Sequence, residues 1–468
     1  MARRNNRDLP ACARTFAMLL LGGVSIAKGH AASAPPPEAV PDGFTFAAGG
    51  DMIGPYHAFP DSTDGEFLRV VSLIRSADLA FANQEGSIFD LETFQGYPAA
   101  ENGGGYPQQR YAAALAIRGI GIAVVSKANN HATDWGAEGL AATLHSLAAA
   151  AIAQAGSGLS LAEARAPAYL STTRGLVALV STASTFPPMS VAGPAVDKRG
   201  VLSRPRPGIS ALHVREIHLV SAAQLAILRK TIGGVPDGAQ EVRVGDELFR
   251  AARVPGRSWE MNAGDEDAIL ASIREARSKA RFVIFSIHAH ETAGDSDVPG
   301  PADYEPMVLH KANEAPSPDD PQPASFEVQL FHAAIEAGAD VVVRTGPHVI
   351  NGIEIYQGKP IFYSLGSLFF DFGGRRSYTT PAGEKLAFPD EWFETILPVS
   401  TYQQGRVSQI LLYPLMIDSA SPATSGIPHL AGPADARRIL HRLKAQSALF
   451  GTEMRILDDV GVIGNASP

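Results

Sequence analysis

Two patterns of apolar residues alternate along this chain. Short continuous runs of Val, Ile, Ala and Phe end on polar or glycine residues, and stretches with apolar residues every three or four positions lie between them. The runs predict strands covered on both faces, and the spaced stretches predict amphipathic helices. Strands are expected at 44–48, 77–82, 121–126, 176–180, 281–287 and 339–343, and helices at 66–75, 137–151 and 326–337. Ile353–Tyr356 and Pro360–Tyr363 flank Gln357-Gly358-Lys359 as a hairpin. The repeated strand–helix order predicts an α/β layered domain.

Two segments break the pattern. Residues 186–262 hold Pro/Gly-rich stretches around a single helical run at 221–231 and read as an insertion. Residues 292–325 are rich in Pro, Asp and Gly and read as a long surface loop. The C-terminal part shows a weak strand near 407–413 and a helix near 433–449.

The N-terminus belongs to another class of segment. Arg3, Arg4, Arg7 and Arg14 precede an apolar run from Phe16 to Ala27, followed by small residues and then Pro35–Pro37. Basic residues, a short apolar core and a small-residue cleavage site make a secretory signal over residues 1–34, with export to the periplasm or beyond. The arginine pair is followed by Asn5 and Asn6, so the export route, general or twin-arginine, stays open.

Composition narrows the chemistry. The formal charge is -9, and removing residues 1–34 leaves 34 Lys and Arg against 47 Asp and Glu, or -13. Nucleic-acid wrapping needs a basic footprint and is excluded on that balance. The one cysteine, Cys12, leaves with the signal, which excludes disulfide scaffolds, Cys-ligated zinc and iron–sulfur clusters.

Five predicted strands end in residues that carry chemistry. Asp51 follows the first, Asn83 and Glu85 the second, and Asn130 and His131 the third. His288, His290 and Glu291 follow the fourth, and His348 the fifth. Parallel α/β sheets gather the C-terminal ends of their strands on one rim, where ligands bind. Any one such residue is accounted for as a turn or helix cap. Five in register point to a shared carboxylate, imidazole and amide site for a divalent ion, with Mn, Fe, Zn, Mg and Ca all compatible.

The stretches Gly50–Gly54, Ala77–Glu85, Ala128–Gly136, Ser286–Glu291, Gly346–Val349 and Pro360–Gly366 resemble the CapA family of poly-γ-glutamate capsule proteins, over residues 42–373. The family is related to calcineurin-like metallophosphoesterases. The resemblance implies a four-layer αββα sandwich with one or two metal ions on one edge, and residues 374–468 form an extension packed on the same domain. It implies Asp51, Glu85, Asn130, His288 and His348 as metal ligands, and His131, His290 and Glu291 as catalytic groups, His131 being the general acid. Glu291 and Asp134 stand as groups that orient histidines, although Asp134 also reads as a cap for the following helix. Two positions depart from the family pattern: Thr345 stands where a histidine is expected, and Ser367 where Asn is usual. The first leaves a single-metal site, or reduced activity, open.

Lys198, Arg199, Arg204 and Arg206 lie close together in an acidic chain. Arg204 and Arg206 read either as a clamp for an anionic substrate or as a solvated loop. Two functional classes follow. One is a metal-dependent hydrolase acting on a phosphoester or γ-glutamyl bond of an anionic polymer or peptide, with a peptide epimerase as a variant. The other is a non-catalytic polymer-binding subunit working with the membrane subunits of a capsule synthesis and export machine.

Overall fold

The computed structural model describes residues 37–54, 65–100, 108–196, 199–293, 297–299, 306–308, 322–371, 374–379, 385–418 and 425–464. The expected signal segment at 1–34, Lys198 and most of the 292–325 segment lie outside the described residues.

Two sheets face each other. In the first, the order is Met454–Leu457, Val460–Gly464, Arg406–Ile417, Glu394–Gln403, Phe44–Ile53, Leu79–Gln84, Val124–Ser126 and Ala153–Ala155. In the second it is Ile353–Tyr356, Lys359–Phe362, Val341–Thr345, Phe282–His288, Gly175–Ala183 and Ala168–Thr172. Their facing surfaces share a core that includes Phe44, Phe46, Phe81, Phe282, Ile284 and Val343. Gly65–Ser76 and neighbouring helices cover the outer face of the first sheet through Phe67, Val70 and Ile74. Ala263–Lys279 and Ser325–Ala337 cover the second through Ile273, Phe326 and Phe331. The layering is therefore helix, sheet, sheet, helix, and the central strands of both sheets run parallel.

The first strand runs further than its apolar run suggests. It spans Phe44–Ile53, with a register shift between Ala48 and Asp51. The glycines there permit a close approach rather than a turn. A Cβ on Gly50 would overlap the Gly366 carbonyl oxygen, so only glycine lets Ser367–Phe370 pair alongside.

The insertion holds more than one helix. Ser221 closes a capping box on Ala222–Ile232, beside a four-stranded sheet ordered Glu241–Val244, Glu247–Ala251, Val214–Val220 and Gly256–Met261. These strands carry no continuous apolar run. Single apolar residues, Ile217, Val242 and Leu248 buried and Trp259 packed on the neighbouring core, hold them, with the cross-strand ion pairs Arg215–Glu260 and Arg250–Glu260 on the more exposed side chains between. Within the 292–325 segment, the described fragments 297–299 and 306–308 pair as a short hairpin.

The C-terminal segment completes the first sheet, because Glu394–Gln403 pairs directly with Phe44–Ile53. Helix Pro433–Ala448 closes the gap between the sheets through Ile439, Leu440 and Leu443. Its Arg438 and Arg442 both grip the buried Glu394 carboxylate. Glu394→Ala is expected to lower unfolding free energy by about 2 kcal/mol, the scale of hydrogen bonds to a charged group, with the arginines' exposure limiting the loss. Urea denaturation of the metal-free protein checks this.

Candidate metal centre

The C-terminal ends of the parallel strands meet on one rim and bring the site together there. Asp51, Glu85 and His348 are buried and offer ligand atoms all within 4.8 Å of one another. His348 Nδ1 lies 3.3 Å from Asp51 Oδ2, and His288 Nδ1 lies 3.7 Å from Asp51 Oδ1. The rings of His290 and His348 stand edge to face at 5.6 Å.

Several neighbours fix these groups. Asn83 Nδ2 donates to Asp51 Oδ1 at 2.8 Å, and the Gly346 amide donates to Asp51 Oδ2 at 3.0 Å. Asn129 Nδ2 donates to Asn83 Oδ1 at 3.2 Å and so holds the holder. His348 adopts a left-handed backbone, φ 56°, a strained conformation for a non-glycine residue. Gly346 must also be glycine, since its φ is 116° and a Cβ would meet the Ala289 carbonyl at 2.8 Å.

The two departures from the family pattern have structural roles. Thr345 Oγ1 lies 3.0 Å from His288 Nδ1, and Ser367 Oγ lies 3.2 Å from His348 Nδ1. Thr345 therefore orients a histidine where a histidine was expected. In the tautomer that donates Nδ1–H to Thr345, His288 keeps its Nε2 lone pair. That Nε2 faces His290 Nε2 at 3.2 Å. Two nitrogens each about 2.1 Å from one ion lie about 3 Å apart, so this facing pair fits ligation.

Electrostatics agree with that fit. Burial alone would raise the Asp51 carboxyl, but the hydrogen bond to His348 and the nearby His288 outweigh it and hold Asp51 below the usual carboxylate range. Burial pushes His288 well below the usual histidine range, against the pull of Asp51, and keeps it neutral. An ionised carboxylate and a neutral imidazole are the states that bind divalent cations. The buried, thiolate-free set Asp51, Glu85 and His348 fits such an ion, and the facing His288–His290 pair stands beside it.

His131 lies beside Glu85. Its Nε2 is 3.8 Å from Glu85 Oε1, and its Nδ1 is 2.8 Å from Asp134 Oδ2. The Gly136–Ala149 helix is preceded by Trp135 with no side-chain cap, so Asp134 orients the imidazole instead of capping the helix. Asn130 is buried beside His131. Lys127 is buried below them, donating Nζ to the Gly86 carbonyl at 2.8 Å. Burial lowers its pKa to about 7, against Glu85 and Asp134, which favour the ammonium.

Three sequence expectations change in detail. Glu291 does not bond a histidine ring. Its carboxylate accepts from Ser184 Oγ and Thr185 Oγ1 at 2.8 and 3.0 Å, and Thr185 Oγ1 accepts the His290 amide. It therefore acts on His290 through the backbone, and burial raises its pKa. Arg206 spends its Nε–H on the Val191 carbonyl at 2.8 Å, and both Arg204 and Arg206 are exposed, with no contact to the buried cluster among the described residues. Asn83, one of the strand-end residues expected at the site, holds the Asp51 carboxylate rather than an ion, and Asn129, which the sequence does not single out, holds Asn83.

The chain is similar to several known proteins. The profile described as "Bacterial capsule synthesis protein PGA_cap" matches residues 20–317 and 317–372. The uncharacterized protein y4uA of Sinorhizobium fredii is 33% identical over 460 residues, 91% of this chain and 94% of the relative. The PGA biosynthesis protein CapA of Bacillus subtilis is 52% identical over 42 residues, 9% of this chain and 11% of that protein. Among solved structures, a hypothetical protein from Thermus thermophilus aligns with 79% of this chain and 98% of its own at a TM-score of 0.34 and 11% identity.

Proposed function

This chain belongs to the bacterial capsule synthesis protein family, and from that premise we propose that it is an exported metal-dependent hydrolase of capsule polymer metabolism. Its substrate is an anionic polymer or peptide of the poly-γ-glutamate type, cleaved at a γ-glutamyl or phosphoester bond. The observation that carries this reading is the buried Asp51, Glu85 and His348 cluster with the His131–Asp134 pair 3.8 Å from Glu85. A polymer-binding surface alone needs no buried acid–base pair beside its cation site. Among the described residues no helix is long and apolar enough to cross a membrane.

Asp51, Glu85 and His348 would hold the ion together with His288 and the expected amide ligand Asn130, and His290, expected as a catalytic group, would join them as a ligand through the Nε2 that faces His288. When bound, the ion supplies Lewis acidity and lowers the pKa of water. Asp134 fixes the tautomer of His131, leaving Nε2 to carry the proton that the leaving group takes. Asn83 and Gly346 hold the Asp51 carboxylate through its two oxygens.

The test is direct. Protein lacking residues 1–34, loaded with a defined divalent ion, is incubated with poly-γ-glutamate and with an alkyl phosphodiester. Release of new amino groups or of alcohol, abolished by a chelator, supports the proposal. Polymer binding with no product from either substrate sinks it and leaves the binding-subunit reading. With a reactive anionic polymer, neutralising Arg204 and Arg206 together to Gln is expected to raise KM about tenfold, the worth of one lost charge-assisted bond. Arg118→Gln is the distant control and should leave KM unchanged.

A further inference from the structure

Arg344 and Glu327 are both fully buried, although neither belongs to the metal cluster. Arg344 Nε lies 2.7 Å from Glu327 Oε1. The same guanidinium donates to three backbone carbonyls: Nε to Ala289 at 3.1 Å, Nη2 to Glu291 at 2.5 Å and Nη1 to Tyr363 at 3.4 Å. Ala289 and Glu291 are the residues on either side of His290. Glu327 Oε2 accepts the Ala324 amide at 2.8 Å, which anchors the carboxylate at the start of Ser325–Ala337. The residues after Arg344 also serve the site, Thr345 through His288 and Gly346 through Asp51. The Ala289 amide in turn donates to the Thr345 carbonyl at 2.9 Å.

We propose that Arg344, braced by Glu327, is a positioning residue whose planar fork fixes the carbonyls flanking His290 and so sets the His288–His290 pair in ligating geometry. The inference rests on the reading that the cluster holds a divalent ion. A need for stability does not explain the pair. Burying the pair is costly, since burial pushes the Glu327 carboxyl up to about 8 even against the pull of Arg344, and apolar residues of similar volume commonly serve as well or better. A rigid five-donor fork offers fixed directions to several carbonyls at once, which neither an apolar side chain nor a lysine provides. Groups that orient ligands in this way typically change metal affinity by about 10–100-fold when altered.

The experiment titrates metal-free protein with Co2+ and reads both Kd and the visible absorption bands, which report coordination geometry. Two variants are compared with wild type: Arg344→Lys, and the paired change Arg344→Met with Glu327→Met, which removes both charges and keeps volume. The expected result is a Kd raised about 10–100-fold with shifted bands in the folded variants, at a melting temperature of the metal-free protein close to wild type in the paired variant. A wild-type Kd and spectrum in either folded variant overturns the proposal. Unfolding of the paired variant overturns it too, by making the pair a requirement of the fold. A wild-type protein that takes up no Co2+ overturns the metal reading itself, and this inference with it.

Discussion

Asp51→Ala is expected to abolish divalent-ion binding, weakening affinity about a thousandfold or more, roughly 4 kcal/mol. Asp51 is the group that joins the cluster. One oxygen faces His348 at 3.3 Å, the other faces His288 at 3.7 Å, and Glu85 lies within the same 4.8 Å set. Its removal deletes one of the two anionic donors and breaks the link between the first sheet and the histidines of the second. The fold itself should survive. Metal-free Asp51→Ala should nevertheless melt below metal-free wild type, because the variant leaves the buried Asn83 and Gly346 donors unpaired and loses a carboxylate whose ionised form the folded state favours. Wild type, in contrast, gains melting temperature as ion is added, because ligand binds only the folded state. Calorimetric titration and elemental analysis after dialysis give the occupancy. Stoichiometric metal retained by Asp51→Ala would falsify the assignment of the centre.

Much of this site was legible because parallel sheets obey a simple rule. Apolar runs locate the strands, strand direction places their ends on one rim, and the polar residues after each run become neighbours. Asp51, Glu85, His288, His290 and His348 could be read in that way from separate stretches of the chain. The groups that orient them could not. Asn129 and Thr185 act through hydrogen bonds whose partners are distant in sequence, and Thr345 and Ser367 stand out only as departures from the family pattern, not for the histidines they bond. Arg344 interrupts a Val341–Val343 run and looks like a strand end, yet it is fully buried and faces three carbonyls.

The fold shows the same division. The strand Glu394–Gln403 escaped notice because Pro398 lies inside it, and proline normally argues against an interior strand. Its pairing explains the exception. The register with Phe44–Ile53 covers Val399 to Tyr402, so Pro398 falls just beyond the stretch where that neighbour needs its amide. The sheet of the insertion escaped for a different reason, since its apolar residues, Ile217, Val242, Leu248 and Trp259, are interspersed with charged ones and form no continuous run.

The second large effect is expected at His131. If it supplies the leaving group's proton, His131→Ala lowers kcat about 10²–10⁴-fold, the usual contribution of a positioned acid, and leaves metal content unchanged. The geometry separates the two roles. Its Nδ1 is already engaged by Asp134 at 2.8 Å, and its Nε2 stands 3.8 Å from Glu85, beside the cluster. Asp134→Asn should fall between wild type and His131→Ala, because it disturbs the tautomer but keeps the imidazole. Leaving-group basicity sharpens the test. An alkoxide or amine needs the proton, while p-nitrophenolate leaves with little help, so the His131→Ala defect should shrink on a nitrophenyl ester. An equal defect on both substrates would mean that His131 acts on the centre by some means other than proton donation. Loss of metal from His131→Ala would make it a ligand, and the acid would then have to be sought near Lys127, whose buried ammonium titrates at about 7 and bonds the Gly86 carbonyl.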